Sequence, residues 1–284
     1  VSNQLFGLGR QNLGAKAINL TTDTLKATLL TMASAAGKIY LVTAASNATP
    51  IVLTMASTTG ISQGDILVAG GIGGNLAANG TWQAGTVTGT TVQLLTRLDA
   101  NNSTGSAAYT SGGWIINLSS ASTLADVSAN SLGTDATLSG VTNTLGVVNA
   151  SAWTWTSLTA TKVWGCAIYD TTASNDLIAF YDGTIQVYVT TQAAASATSI
   201  AVQRLTAAIP NGAVLTFSNG ASATLTAQAN IGDTSLTVSA LAAIVTRQAT
   251  ADTPTLNCGF PVTPASGGNL TFTPDSGAFK LFVV

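Results

Sequence analysis

The chain has no glutamate and no histidine in 284 residues, and only five lysines. That absence constrains the fold more than any other feature. Glu and Lys normally clothe exposed helix faces, where helix propensity and i,i+4 pairing hold them. A chain without them has little from which to build amphipathic surface helices. Thr, Ser, Ala, Val, Leu, Asn and Gly fill the sequence instead, and these suit strands joined by tight turns. The expected fold is all-β. One short helix is allowed, over the opening "SNQLFGLGRQNL", stopped by Gly14 at the C′ position.

Charge is scarce, at 7% of residues against about 25% in ordinary soluble domains. Hydrophobic residues make up 46%, ample for real cores. The net charge of −2 includes no basic block, which argues against a nucleic-acid partner, since phosphates need clustered Lys and Arg. Mean hydropathy is +0.40, yet Thr, Ser, Asn or Gly interrupts every apolar stretch, as in "KIYLVTAASNATPIVLTM". No run of 18 apolar residues remains, so no membrane partner is expected. No positively charged segment leads into an apolar one at the start, so no secretory signal is expected. A surface this poor in charge is better tolerated inside an assembly, which points to a homo-oligomer.

Along the chain the texture changes several times. In "TLKATLLT", Leu25, Ala27 and Leu29 alternate with Thr24, Lys26 and Thr28, the period of a half-buried strand. Residues 38–114 read as a separate β-module whose turn signals recur every 8–12 residues. Within it, "TWQAGTV" and "TTVQLLT" form a hairpin, and "GGIGGNLAANG" reads as a mobile loop and contact site. Residues 115–185 hold the strand candidates "ATLSGVTNTLGVV", "AWTWTSL", "KVWGCAIYD" and "DLIAFYD", with Trp153, Trp155 and Trp164 marking the main core. Residues 186–253 carry an internal repeat: "ATSIAVQRLTAAIP" (197–210) aligns with "DTSLTVSALAAIVT" (233–246). The two copies are expected to pack on each other, with Asn219-Gly220 as a hairpin turn between them. In 254–284, Leu270 and Phe272 form a short strand, and a final strand carrying Phe279, Leu281 and Val283 on one face ties the C-terminus into a sheet.

Chemistry finds little to work with. Without histidine there is no Ser-His-Asp or Cys-His arrangement and no ordinary zinc site. All eleven acidic residues are aspartates. A glycan-cleaving pair of carboxylates is conceivable among them, but Asp65, Asp135, Asp182, Asp233 and Asp275 stand in turn-like company with Gly, Thr, Ser or Asn. No catalytic residue is assigned, and the chain is not expected to be an enzyme. Asp170, Asn175, Asp176 and Asp182 form the densest acidic stretch, with ligands of the kind calcium takes. No EF-hand or nonapeptide spacing accompanies them, so no metal and no cofactor is assigned. "GGIGGN" lacks the Lys-Ser/Thr and the helix of a phosphate loop. Cys166 and Cys258 show no metal-ligand or redox spacing and read as two buried small hydrophobes, a disulfide being the alternative.

Three separated stretches share a resemblance. "INLTTDTLKATLLT", "KVWGCAIYDTTASNDLIAFYD" and "PVTPASGGNLTFTPDSGAFKLF" resemble, in this order, parts of a small β-domain found in bacteriophage virion proteins. The resemblance covers residues 1–37, 115–185 and 254–284. It implies a discontinuous, sandwich-like core interrupted by two inserted small β-domains, at 38–114 and 186–253. The first insert resembles a β-module of phage tail and fibre proteins that normally carries His-Gly in one turn, where this chain has Thr59-Gly60. The second resembles a β-insert of phage capsid and decoration proteins. The resemblance implies a structural part located in the virion. A head decoration or cement protein is the leading expectation, and a tail, neck or fibre component with adhesion modules is the alternative. Its partners would be the major capsid protein or other virion subunits, with a host-surface glycan for the inserts. A homotrimer is expected by analogy with capsid decoration at local three-folds.

Overall fold

The structure, a computed structural model, describes residues 2–15, 17–96, 102–144, 147–172, 174–182, 189–202, 205, 209, 211–212, 214–216, 221–230, 233–245, 261–272 and 282–283. In chain order the elements begin with β1 (Ser2–Leu5), α1 (Gly7–Gly14) and β2 (Leu25–Leu30). Six strands follow: β3 (Ile39–Ala45), β4 (Val52–Met55), β5 (Ile66–Gly70), β6 (Gly80–Val87), β7 (Thr91–Leu95) and β8 (Trp114–Asn117). Next come β9 (Ser131–Thr137), β10 (Thr142–Thr144), β11 (Val147–Asn149), β12 (Trp153–Leu158), β13 (Gly165–Asp170) and β14 (Asp176–Asp182). The last are β15 (Ser199–Ala201), β16 (Val214–Thr216), β17 (Ser222–Thr224), β18 (Ser235–Thr237), β19 (Gly268–Phe272) and β20 (Phe282–Val283). The fold is all-β with one short α-helix among the described residues. No helix among them is long and apolar enough to cross a membrane.

Two compact units emerge, both discontinuous in sequence. The core unit comprises residues 3–39, 117–182 and 259–284. Its main sheet has the order β1-β14-β13-β2-β9. β13 and β14 run antiparallel, and every residue from Gly165 to Asp170 and from Leu177 to Asp182 is buried. β2, expected to be half-buried, is central instead, lying between β13 and β9. Thr28 and Leu30 are therefore buried alongside Leu25, Ala27 and Leu29. Thr28 satisfies its hydroxyl on Ser131 Oγ at 2.9 Å, as a buried polar group must.

The antiparallel pair of β12 and β19 covers this sheet. Trp153 stacks on Phe272 with ring centroids 4.6 Å apart, and Tyr181 of β14 meets Phe272 edge-on at 5.6 Å. Trp155 donates its indole N–H to the Ala27 carbonyl of β2 at 3.0 Å. The aromatic cluster read from the sequence is thus a sandwich-like core. Trp164 is only half-buried, with Lys162 Nζ 4.0 Å from its ring centroid.

The opening segment departs from expectation. Ser2–Leu5 is a strand at the edge of the sheet, beside β14, and the helix begins only at Gly7. Strand pairing satisfies the backbone there, which four residues of helix without a side-chain cap would not. Gly14 is the last helical residue, not the C′ position, and Ala15 caps the helix in a right-handed conformation with φ −78°. A small β10-β11-β20 sheet completes the unit, Val147 pairing with Val283 and Val148 with Phe282. The end of the chain is tied in there. Phe279 and Leu281 lie outside the described residues.

The second unit takes residues 1–2, 40–116 and 183–258 and contains two separate hydrophobic cores. The first belongs to a closed six-stranded barrel, β3-β4-β7-β6-β5-β8. Leu53, Leu67, Trp82, Val92, Leu94 and Ile115 fill it, and closure leaves no edge strand to manage.

The second core belongs to the repeat, and its geometry is symmetric. Ile200 of β15 pairs with Leu236 of β18, its own counterpart 36 positions later. Bridges on either side obey the same rule. Val189–Val202 is matched by Leu225–Val238, and Ala193–Val245 by Ile209–Ala229. Backbone bonds repeat the pattern: Leu205 N–H donates to Asp233 O at 2.9 Å, and Leu241 N–H to Ala197 O at 3.0 Å. The two copies are related by a pseudo-two-fold axis through the Ile200–Leu236 pair. The duplication therefore extends back to Val189 and Leu225. Asn219-Gly220 lies outside the described residues.

Candidate functional site

The aspartates are the only acid–base groups of ordinary carboxylate type in the chain, so their placement decides what chemistry is within reach. Asp65 accepts the Ser62 N–H at 2.8 Å, and Asp233 accepts the Asn230 N–H at 2.7 Å. In both, the Asp closes a turn by reaching back to the residue three before it, whose carbonyl accepts the Asp N–H in return. Asp126 accepts from Ser122 N–H at 2.8 Å and Thr123 N–H at 3.1 Å, forming a capping box with Thr123. Asp135 accepts the Tyr169 hydroxyl at 2.7 Å. Burial, and then this carboxylate, push the Tyr169 phenol well above its ordinary range. Asp275 lies outside the described residues.

The acidic stretch considered for calcium does not converge. Asp170 and Asp176 are cross-strand partners at one end of the β13–β14 pair, while Asp182 sits at the other end opposite Gly165. Six residues of strand at about 3.3 Å each place it roughly 20 Å away. Asn175 is in a left-handed conformation in the connecting turn, with φ 61°. Among the described residues, no three Cys or Asp side chains gather closely enough to hold a metal ion between them. What sequence reasoning missed is the neighbour Asp170 does have. Asp23, 147 positions earlier, stands two residues before Leu25, the register partner of Asp170. Burial foremost, with the Asp23 carboxylate adding, pushes the Asp170 carboxyl above its usual range, against a lowering bond from Thr172 N–H.

The loop "GGIGGNLAANG" is pinned down. Asn75 is fully buried; its amide donates to Ser46 O at 2.8 Å and accepts the Ser106 N–H at 3.0 Å. Asn79 accepts from Ile72 N–H at 2.9 Å and donates back to Ile72 O at 3.0 Å. Ala77 and Ala78 are buried beneath, and the Trp82 indole donates to Ala78 O at 2.9 Å. A segment so tied is framework, not the mobile loop that its glycines suggested. The Thr59-Gly60 turn is built the same way. Gly60 has φ 90°, as the third position of a type II turn needs, with Ile61 N–H bonded to Thr58 O at 2.9 Å. Tyr40 donates to the Thr59 carbonyl at 3.0 Å from below.

Several exposed strand faces among the described residues are uncharged and rich in hydroxyls. On the β12–β19 pair, Trp153, Trp155 and Leu158 turn inward, leaving Thr154, Thr156, Asn269 and Thr271 exposed. Thr154 and Thr271 are joined through their hydroxyls at 2.8 Å. β10 exposes Thr142, Asn143 and Thr144 at a sheet edge. On the duplicated module, Ser199, Ala201, Ser235 and Thr237 face outward around the pseudo-two-fold, with Ser199 Oγ and Ser235 Oγ 2.8 Å apart. Such faces offer many short donors and acceptors with little side-chain entropy to lose on contact. No protein-family description matches the chain, and no curated protein matches it.

Proposed function

We propose that the chain is a non-enzymatic structural part of a bacteriophage particle, a head decoration or cement protein that docks on capsid subunits and displays its β-modules outward. The observation that carries the reading is the set of exposed strand faces on the braced β-bodies, β10, β12 and β19 among them, built of Thr, Ser and Asn without a charge. An isolated soluble domain keeps itself dispersed with charge, whereas a subunit interface gains from removing charge at its centre. Closed and cross-braced architecture supports the same reading, because mechanical parts need bodies that do not open locally. The sequence resemblance of residues 1–37, 115–185 and 254–284 to a virion β-domain supports a location in the virion. Other virion subunits are the proposed partners, with a homotrimer as the docking form.

The experiment is removal and add-back. Particles assembled without the chain should lose their DNA at lower temperature than complete ones, and purified chain should restore resistance in proportion to the amount bound. Particles equally robust without it would overturn the cement reading. A tail, neck or fibre part is the second reading, favoured by the likeness of the 38–114 barrel to tail and fibre modules. In that case the missing chain would reduce adsorption to host cells and leave heat resistance unchanged.

A further inference from the structure

We propose that Asp23 and Asp170 form a calcium site at one end of the core sheet. The two residues are brought together by the antiparallel pairing of β2 and β13, in which Asp170 lies directly opposite Leu25. The flanking turns are locked to each other. Thr171 donates to the Thr24 carbonyl through both its N–H (3.0 Å) and its hydroxyl (2.9 Å), and Thr24 N–H donates to the Thr172 hydroxyl at 3.1 Å.

In that frame Asp170 has one oxygen satisfied and one left over, and Asp23 has one oxygen held tightly and one held weakly. Asp170 is fully buried; one oxygen accepts Thr172 N–H at 2.7 Å, and Oδ2 has no hydrogen-bond donor. Asp23, half-buried, accepts Asn19 N–H on Oδ2 at 2.6 Å, while Oδ1 has only the Thr22 hydroxyl at 3.4 Å. Asp23, two residues before Leu25, is thereby set beside Asp170 at the end of the sheet, and its carboxylate adds to the burial that raises the Asp170 carboxyl. Two carboxylates in that relation cannot both stay ionised without something positive between them. Lys26, next along β2, is registered opposite Tyr169 and so belongs to the other face of the sheet.

The chemistry selects the ion. Calcium accepts irregular sets of oxygen ligands and fills the remaining positions with water, whereas magnesium demands near-ideal octahedral geometry. One buried and one half-buried carboxylate, with the exposed Thr22 and Thr24 beside them, fit a weak site of the kind found in extracellular modules, with Kd on the order of 10⁻⁴–10⁻³ M.

The test titrates calcium chloride into the chelator-treated full-length chain at pH 7 by calorimetry, with thermal unfolding in parallel. One binding event in that range is expected, together with a melting midpoint raised by a few degrees in about 10 mM calcium and by less in magnesium. Asp23→Asn and Asp170→Asn should each abolish the heat and the calcium shift. Asp65→Asn, in the barrel, should leave both intact. Asp23→Asn keeps the test sound if Asp170→Asn fails to fold, because Asp23 is on a half-buried turn. No heat and no shift in the wild-type chain would overturn the proposal, as would a shift that survives Asp23→Asn. A chain indifferent to calcium but stabilised by acidification from pH 7 to 5 would also overturn it, since the two carboxylates would then be sharing a proton.

Discussion

Truncating either central residue of the duplicated module should have the same effect, because the pseudo-two-fold makes the two positions equivalent. Ile200 and Leu236 are both fully buried and pair with each other across the axis. Replacing either by Ala removes three carbons, a transfer loss of about 2.4 kcal/mol at roughly 0.8 kcal/mol per CH₂. The cavity left behind brings the range to about 2–5 kcal/mol. Four amides report on the consequence: Ala193, Ile209, Ala229 and Val245, which bond across the axis at 2.9 to 3.0 Å. A loss of about 2.4 kcal/mol corresponds to roughly 50-fold faster hydrogen exchange. Ile200→Ala and Leu236→Ala should accelerate all four amides by similar factors. The double variant should cost less than the sum of the singles, since both open one shared cavity. Acceleration confined to the half that carries the substitution would refute the reasoning, because it would mean that the copies fold independently.

Other positions make equally definite predictions. Trp155→Phe removes the donor to the buried Ala27 carbonyl and should destabilise the core unit by about 1–3 kcal/mol in denaturant titration, with near-UV circular dichroism showing that the fold is retained. At Gly9 an added Cβ would lie 2.6 Å from the Leu177 carbonyl oxygen and 2.8 Å from Ile178 Cα. Gly9→Ala should therefore cost about 1–3 kcal/mol despite the better helix propensity of Ala, measured the same way. Burial pushes the Cys166 thiol far above its ordinary range. It should resist iodoacetamide at pH 8 in the native protein and react on unfolding, as peptide mapping would show; native alkylation at Cys166 would contradict its burial.

How much of this was legible in the sequence depends on the distance over which each feature is encoded. Strands such as β12 and β14 could be read directly, because "WTW" and "LIAFYD" carry their own burial pattern or their own apolar run. The repeat was visible where Ile200 and Leu236 stand in matching contexts. Its earlier half, around Val189 and Leu225, is written in Thr, Gln and Ala, which too many other segments share. β1 was read as helix because its neighbour β14 lies some 175 positions away, and pairing of that kind leaves no local trace. The Asn75 loop looked mobile for a related reason. Glycine and asparagine are the residues of a flexible loop and also of one fixed by side-chain bonds, and only the positions of Ser46 and Ser106 distinguish the two. The same limit hid Asp23. Its significance arises from β2 and β13 lying side by side, a fact of topology that composition does not carry.

The proposed structural role makes the chain a stoichiometric building part of a particle. Its copy number in purified virions, by densitometry or quantitative mass spectrometry against the major capsid band, tests that most directly. Hundreds of copies per particle is the predicted result. A handful would move the chain to the tail or neck, and its absence from particles washed free of soluble protein would contradict the structural role altogether.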